Sequence, residues 1–214
     1  TARLRIKSSF ERIQSEHFKK LYLPGVLNKE QMVFLTEQEE QALEFVQGFL
    51  QIPEVELPEH EILYFPDFTS MRFLTGISRD EYVNFRNVSN VLSLQAHYNH
   101  PIQNDFFHIV KAMTQTAIRS AWKATLSNLI AGTGVMVGHF ATDGPGTDID
   151  ALTAERFMSS QTAPLSRMIE DNGVSESEND DLALITGSFL KFLFTSYSIE
   201  RFKRLYTGMS GKRT

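Results

Sequence analysis

Residues 101–131, PIQNDFFHIVKAMTQTAIRSAWKATLSNLIA, form the longest stretch of the chain with a helical pattern. Pro101 suits the first turn of a helix, where a backbone N–H has no partner within the helix. Apolar side chains then recur at helical spacing, and after Asp105 the only charged residues are Lys111, Arg119 and Lys123. This segment, about 45 Å long as a single helix, predicts a largely buried helix at the centre of an all-α protein.

The run that follows, AGTGVMVGHFATDGPGTDID at 131–150, is rich in glycine and aspartate. Gly132 and Gly134 are typical of a helix end, because glycine adopts the left-handed conformation of a C-cap at little cost. Thr147 can then cap the next helix through its hydroxyl. We therefore predict a connection over 131–147 that ends the central helix and redirects the chain.

Helical patterns predict most of the other elements as well. Ser9 can cap a helix that runs to Leu23, and Thr36 with Glu39 forms a capping box for a helix ending near Leu50. Further helices are predicted over 78–99, 147–159, 164–172 and 178–206. Within the Pro-rich segment only residues 62–65 fit a short strand or a buried apolar plug, and residues 135–137 fit a short strand or the start of a brief helix.

Together these patterns predict an all-α, single-domain orthogonal bundle of about seven to nine helices around the central helix at 101–131. At most one short β-hairpin or strand pair is expected. The domain is predicted to span residues 1–207 and to include a Pro-rich loop at 53–68 and the Gly/Asp-rich connection at 131–147. Residues 208–214 are predicted to form a flexible basic tail.

The composition limits the classes of protein to which the chain can belong. Its 214 residues are 42% apolar and 22% charged, which is typical of a folded globular protein. The absence of cysteine excludes disulfides, thiol nucleophiles and thiolate-bound metals. No apolar run reaches the roughly eighteen residues that a membrane-spanning helix requires. We expect an intracellular, cytoplasmic protein.

Charge is distributed in blocks along the chain. Between Glu30 and Met71 there are ten acidic residues and no lysine or arginine, whereas both ends of the chain are basic. With a net charge of −5, the protein is not expected to bind nucleic acid. The acidic block and the basic ends can meet within the fold. Otherwise the acidic block attracts a basic partner, and the basic ends attract an anionic surface.

Aspartates in the run 131–150 form the first candidate site. Asp143, Asp148 and Asp150, with nearby backbone carbonyls, supply the hard oxygen ligands that Ca²⁺ prefers. The same residue types also serve in turns and helix caps, and the sequence leaves both roles open.

The segment 144–148, GPGTD, resembles the G-x-G-T-D/E calcium loop of annexins. Asp181, thirty-three residues after Asp148, lies where the later part of an annexin repeat contributes a second acidic ligand. The resemblance implies that Asp143, Asp148, Asp150 and Asp181 bind calcium and, through it, anionic phospholipid at the membrane surface. Annexins contain several such repeats, and no second one occurs in this chain.

Histidines form the second candidate site. His97, His100 and His108 lie within twelve residues of one another, and imidazole is a common ligand of transition metals. His139, close in sequence to Asp143, offers a general base. A metal-assisted enzyme is one interpretation of this group, and histidines at helix ends and core edges are the other.

Phenylalanine is the most unusual component, with seventeen residues against six tyrosines and one tryptophan. Neither a phosphate-binding loop nor a nucleophile motif occurs. The leading interpretation is a non-enzymatic helical module, able to form homo-oligomers, that binds a partner protein or a small apolar ligand through a Phe-rich groove or cavity. Calcium-dependent membrane binding and metal-assisted catalysis are the alternatives, and calcium is the only cofactor suggested.

Overall fold

The computed structural model describes residues 10–22, 28–54, 60–65, 67, 69, 83–86, 93–98, 105–124, 126–142, 149–158 and 176–210. These residues contain five strands and six helices, and most of them are helical. Contacts divide the chain into two compact units. Unit 1 comprises Thr1–Gln41 and Pro58–Asp105, and unit 2 comprises Ala42–Leu57 and Phe106–Thr214. The single domain predicted for 1–207 stays a prediction.

Unit 1 contains a five-stranded mixed sheet. In chain order its strands are β1 (Glu11–Gln14), β2 (Phe18–Tyr22), β3 (His60–Phe65), β4 (Val83–Arg86) and β5 (Ser93–Tyr98). Across the sheet the order is β1-β2-β3-β5-β4. The inner strands β2, β3 and β5 are parallel, and β1 and β4 pair antiparallel at the two edges. The predicted mostly helical content is confirmed, but the prediction of at most one strand pair is wrong.

The helix predicted from Ser9 to Leu23 is wrong, because β1 and β2 occupy most of this segment. Over so few residues, an apolar pattern fits the period of a strand as well as that of a helix. The strand forms because Leu21 pairs with Leu63, forty-two residues away, and local periodicity carries no information about such a partner. The helix predicted over 78–99 is wrong for the same reason, because its described residues form the strands β4 and β5. The short strand predicted at 62–65 is part of β3.

One long helix, α1 (Lys29–Leu50), contributes residues to both units. It begins earlier than predicted, because Asn28 and Gln31 cap it reciprocally. The Asn28 side chain accepts the Gln31 N–H at 2.8 Å, and the Gln31 side chain accepts the Asn28 N–H at 2.9 Å. Thr36 and Glu39, predicted as the capping box at the start of the helix, lie in its second and third turns, and their side chains are buried.

In unit 2, helix α3 packs against both α2 and α5. The helices of this unit that follow α1 are α2 (Phe106–Ala121), α3 (Ser127–Thr142), α4 (Ile149–Met158), α5 (Glu176–Ser196) and α6 (Ile199–Ser210). The helix predicted over 147–159 thus corresponds to α4, whereas the one predicted over 164–172 lies outside the described residues. The helix predicted over 178–206 is divided into α5 and α6 by a bend at Tyr197 and Ser198.

The single central helix predicted over 101–131 is not confirmed, because the chain leaves the helical conformation between α2 and α3. Lys123 has a φ of 54°, the left-handed conformation that ends many helices. The backbone N–H groups of Trp122 and Ala124 both donate to the carbonyl of Ile118, which closes the last turn of α2. The predicted number of seven to nine helices is not confirmed either.

Gly132, Gly134 and Gly138 lie inside α3, so the prediction that Gly132 and Gly134 end a helix is wrong. A Cβ at Gly132 would lie 2.5 Å from Cγ2 of Thr186 on α5, and a Cβ at Gly134 would lie 2.9 Å from the Lys111 carbonyl oxygen on α2. Both distances are shorter than a van der Waals contact. These glycines therefore permit α3 to approach its two neighbours closely. The connection predicted over 131–147 is wrong for residues 131–142, which are helical, and its other residues lie outside the described part of the chain.

Three further predictions concern the Pro-rich loop, the C-terminal tail and the absence of a membrane-spanning helix. The Pro-rich segment 53–68 contains β3, and α6 extends to Ser210, inside the predicted tail 208–214. Among the helices that the structure describes, none combines the length and the apolarity needed to cross a bilayer.

Candidate binding surface

A cluster of aromatic rings fills much of unit 2. Phe49 of α1 stacks on Phe194 of α5 with a centroid distance of 4.8 Å and contacts Phe140 of α3 at 5.0 Å. Phe194 in turn contacts Phe202 of α6 at 5.3 Å. Trp122 and Tyr206 extend the cluster, 5.3 Å apart. Stacked and edge-to-face rings of this kind stabilise a core beyond the area they bury, so part of the phenylalanine content has a structural role.

Tyr206 lies at the buried end of this cluster. Its hydroxyl forms a hydrogen bond with the side chain of Thr133 on α3, and burial raises the pKa of this tyrosine above its ordinary value. The phenol therefore stays protonated over the physiological range and links α6 to α3.

Other aromatic residues of unit 2 are exposed. Phe189 and Phe192 are 45% and 59% accessible, and they share one side of α5 because they are three residues apart. Leu182, Ala183 and Leu190 of the same helix are buried. Tyr197, in the bend after α5, is exposed as well. We refer to Phe189, Phe192 and Tyr197 as the α5 aromatic face.

Two basic residues follow this face in the sequence. Arg201 and Arg204 are exposed on α6, on the side opposite to the buried Phe202 and Tyr206. Within the part of the chain that the structure describes, neither guanidinium has an acidic partner, whereas Lys203 pairs with Glu200 at 3.5 Å. The exposed residues near the end of α5 and on α6 thus include two phenylalanines and two arginines, together with the acid Glu200.

The predicted calcium ligands are only partly described, since Asp143 and Asp148 and the annexin-like segment 144–148 lie outside the described residues. Asp150, in the first turn of α4, accepts hydrogen bonds from Ser188 Oγ at 2.6 Å and from Lys191 Nζ at 2.9 Å. Partial burial alone would raise the pKa of Asp150. The hydrogen bonds from Ser188 and Lys191 together outweigh this effect, so the pKa lies below its ordinary value. The contacts fasten α4 to α5.

Asp181, the fourth predicted calcium ligand, lies on α5 and has a partner in α4. Its carboxylate lies 3.4 Å from Nε of Arg156. Both described aspartates thus join α4 to α5 through donors of the protein itself, which is a structural role. Calcium binding by these residues stays a prediction.

The predicted histidine group is also only partly described. His97 belongs to β5 of unit 1, described in its backbone alone, and His100 lies outside the described residues. His108 lies on α2 in unit 2, with its ring 5.1 Å from that of Phe107. His139 on α3 contacts the same Phe107 ring at 5.0 Å. These are aromatic contacts in the helical packing, and a metal site at the three histidines stays a prediction.

A buried ion pair in unit 1 was missed by the sequence analysis. Lys20 of β2 is fully buried, and its Nζ lies 2.6 Å from a carboxylate oxygen of Glu39 on α1, which is buried too. Burial lowers the pKa of Lys20 and raises the pKa of Glu39. In both residues burial thus favours the neutral form of the side chain. Beyond this ion contact, neither Lys20 Nζ nor Glu39 Oε2 has a hydrogen-bond partner among the described residues.

A second contact, between α1 and the bend that joins β1 to β2, involves Glu40, the residue after Glu39. The Glu40 carboxylate accepts the backbone N–H of His17 at 2.9 Å and lies 2.7 Å from Nδ1 of the same histidine. Burial alone would raise the pKa of Glu40. The hydrogen bonds from His17 and Ser15 together outweigh burial, so the pKa lies below its ordinary value.

The sequence did contain a signal for the buried pair. Glu39 occupies a position between Leu35 and Leu43 on the apolar side of α1, where a charged residue requires a buried partner. Because both side chains are enclosed, a substrate cannot reach Lys20 or Glu39 in this conformation. The pair joins the helix to the sheet, and it is not a catalytic site in this state.

Comparison with known proteins adds no further assignment. No protein-family model matches the chain, and no curated protein matches it significantly.

Proposed function

We propose that the protein is a non-enzymatic binding module that engages an acidic amphipathic helix of a partner protein through the α5 aromatic face. The exposed Phe192 is the observation that carries this proposal. Burying a phenylalanine side chain is worth about 1.5–3 kcal/mol, and phenylalanine and arginine are both enriched at protein interfaces.

A partner protein is favoured over a small apolar ligand. Small ligands bind in concave sites that enclose most of their surface. Phe189 and Phe192, in contrast, are exposed side chains on one side of a helix. A second helix can lie along such a face and cover both rings.

Charge indicates the chemistry of the partner. Arg201 and Arg204 are exposed without acidic partners among the described residues, and complementary charge at the rim of an interface selects partners and accelerates association. An amphipathic helix with leucines on one side and glutamates beside them fits both features.

Fluorescence anisotropy with a labelled helical peptide of leucine and glutamate tests the proposal. We expect the wild-type protein to bind the peptide, and Phe189→Ser/Phe192→Ser to weaken binding at least about tenfold. Arg201→Gln/Arg204→Gln should weaken it about threefold and reduce its dependence on salt. A wild-type protein that leaves the anisotropy unchanged up to about 1 mM, or a double serine variant that binds equally well, would overturn the proposal.

A further inference from the structure

The outer side of α1 carries a second exposed apolar surface, in unit 1. Phe34 is 62% accessible and Val33 beside it is exposed. Glu30, Glu37 and Gln41 are also exposed. They lie on the same side of the helix as Phe34, because they are four residues before it, three residues after it and seven residues after it. We refer to Glu30, Val33, Phe34, Glu37 and Gln41 as the α1 outer face.

This face has the opposite electrostatic character to the α5 aromatic face. Among the described residues, Glu30 and Glu37 have no hydrogen bond or ion pair with a basic group, whereas Glu39 and Glu40 on the inner side of α1 are engaged by Lys20 and His17. The only basic residue of α1 is Lys29, at its first position. A bound segment would therefore meet an apolar centre with unneutralised carboxylates on both sides along the helix axis.

We infer that the α1 outer face is a docking site for a basic amphipathic segment of another protein. Apolar side chains of that segment cover Phe34 and Val33, and lysines or arginines flanking them reach Glu30 and Glu37. The apolar contact supplies affinity, because it removes a large ring from water. The charges select the partner and its direction along α1, because each carboxylate lies about one helical turn from Phe34.

This site goes beyond the proposed function, because it lies on another helix in another unit and takes a partner of opposite charge. Its test uses a labelled helical peptide of leucine and lysine in the same anisotropy measurement. We expect the wild-type protein to bind it and Phe34→Ser to weaken binding at least about tenfold. Glu30→Gln/Glu37→Gln should weaken binding about threefold and remove most of its salt dependence.

Matched variants in unit 2 are the controls. Phe192→Ser removes an equally exposed phenylalanine, and Glu200→Gln removes an exposed acid of α6; both should bind the basic peptide as the wild type does. Because the acidic peptide is measured separately, a failure of one proposal leaves the other intact.

Three outcomes would overturn the inference. The first is no binding of the basic peptide up to about 1 mM, and the second is equal binding by Phe34→Ser. The third is sedimentation of the free protein as a dimer that Phe34→Ser dissociates, since a second copy would then occupy the face.

Discussion

The two units stabilise their interiors in different ways. In unit 1, the contact between helix and sheet includes the fully buried ion pair of Lys20 and Glu39. In unit 2, the contact between helices depends on glycines of α3 that leave no room for a side chain. Unit 1 should therefore be sensitive to loss of charge and unit 2 to added volume. Their exposed charges differ as well: α1 has exposed glutamates on the side of Phe34, and α6 has two exposed arginines.

The largest effect is expected from breaking the ion pair of unit 1. Lys20→Met leaves the Glu39 carboxylate buried without a cation, which typically costs about 3–5 kcal/mol of unfolding free energy. Lys20→Met/Glu39→Leu removes both charges and should recover most of that loss, because two apolar side chains of similar volume can fill the space. Urea denaturation of the two variants measures the difference. If Lys20→Met alone costs less than about 1 kcal/mol, the pair is not buried as described.

A smaller loss is expected from added volume in unit 2. Gly132→Ala places a methyl group against Thr186 and the backbone of Gly187, so we expect a loss of about 1–3 kcal/mol. Gly48→Ala is the matched control, since a Cβ there meets nothing within 4 Å on an exposed part of α1. That variant should gain about 0.5–1 kcal/mol from helix propensity. Equal effects of the two alanines in urea denaturation would contradict the close packing of α3.

A weaker, pH-dependent effect is expected at Glu40. Its pKa in the folded protein lies below the ordinary value of 4.5, so its contribution to stability is fully present above that value. It is lost as the pH falls through the folded-state pKa, because the unfolded chain takes up the proton first. Since Glu40 is partly exposed, the contribution should be below about 1 kcal/mol. In urea denaturation at several pH values, Glu40→Gln should reduce the loss of stability between about pH 5 and pH 3; an unchanged pH dependence would contradict the shift.

The sequence predicted the helical majority of the described residues, but not the sheet. Helices α2 and α5 are long enough for their apolar spacing to be recognised, although their ends were misplaced, whereas most of α3 was predicted to be a connection. The strand β2, in contrast, has five residues and depends on pairing with β3, which is distant in the sequence. Helix α2 ends just before Lys123, which adopts the left-handed conformation although it is not a glycine, whereas the glycines of α3 lie within that helix and do not end it. In both cases tertiary packing overrides the local preference of the residue.

The sequence suggested only the kind of surface that the protein could use, and that suggestion stays a prediction. The phenylalanine content suggested a binding groove or cavity, and the acidic block suggested either contact with the basic ends within the fold or a basic partner. Composition, however, does not distinguish Phe202, which is buried, from Phe192, which is exposed, because that difference depends on which side of each helix meets its neighbours. The buried pair of Lys20 and Glu39 was missed because the partners lie on a strand and a helix whose contact is set by the fold.

The smallest effect on stability is expected from the exposed rings. Phe34→Ser and Phe192→Ser remove side chains that are mostly in water, so the unfolding free energy should change by less than about 0.5 kcal/mol. Urea denaturation checks this directly. A loss of several kcal/mol would show that these rings are part of the core and would remove the basis for a binding role.

The most direct test of the account measures both peptides against both of these variants. We predict that Phe192→Ser loses affinity for the acidic peptide alone and that Phe34→Ser loses affinity for the basic peptide alone, each by about tenfold. Two separate faces of opposite charge require this crossed pattern. If both variants bind both peptides as the wild type does, the exposed phenylalanines are not binding residues and the account is contradicted.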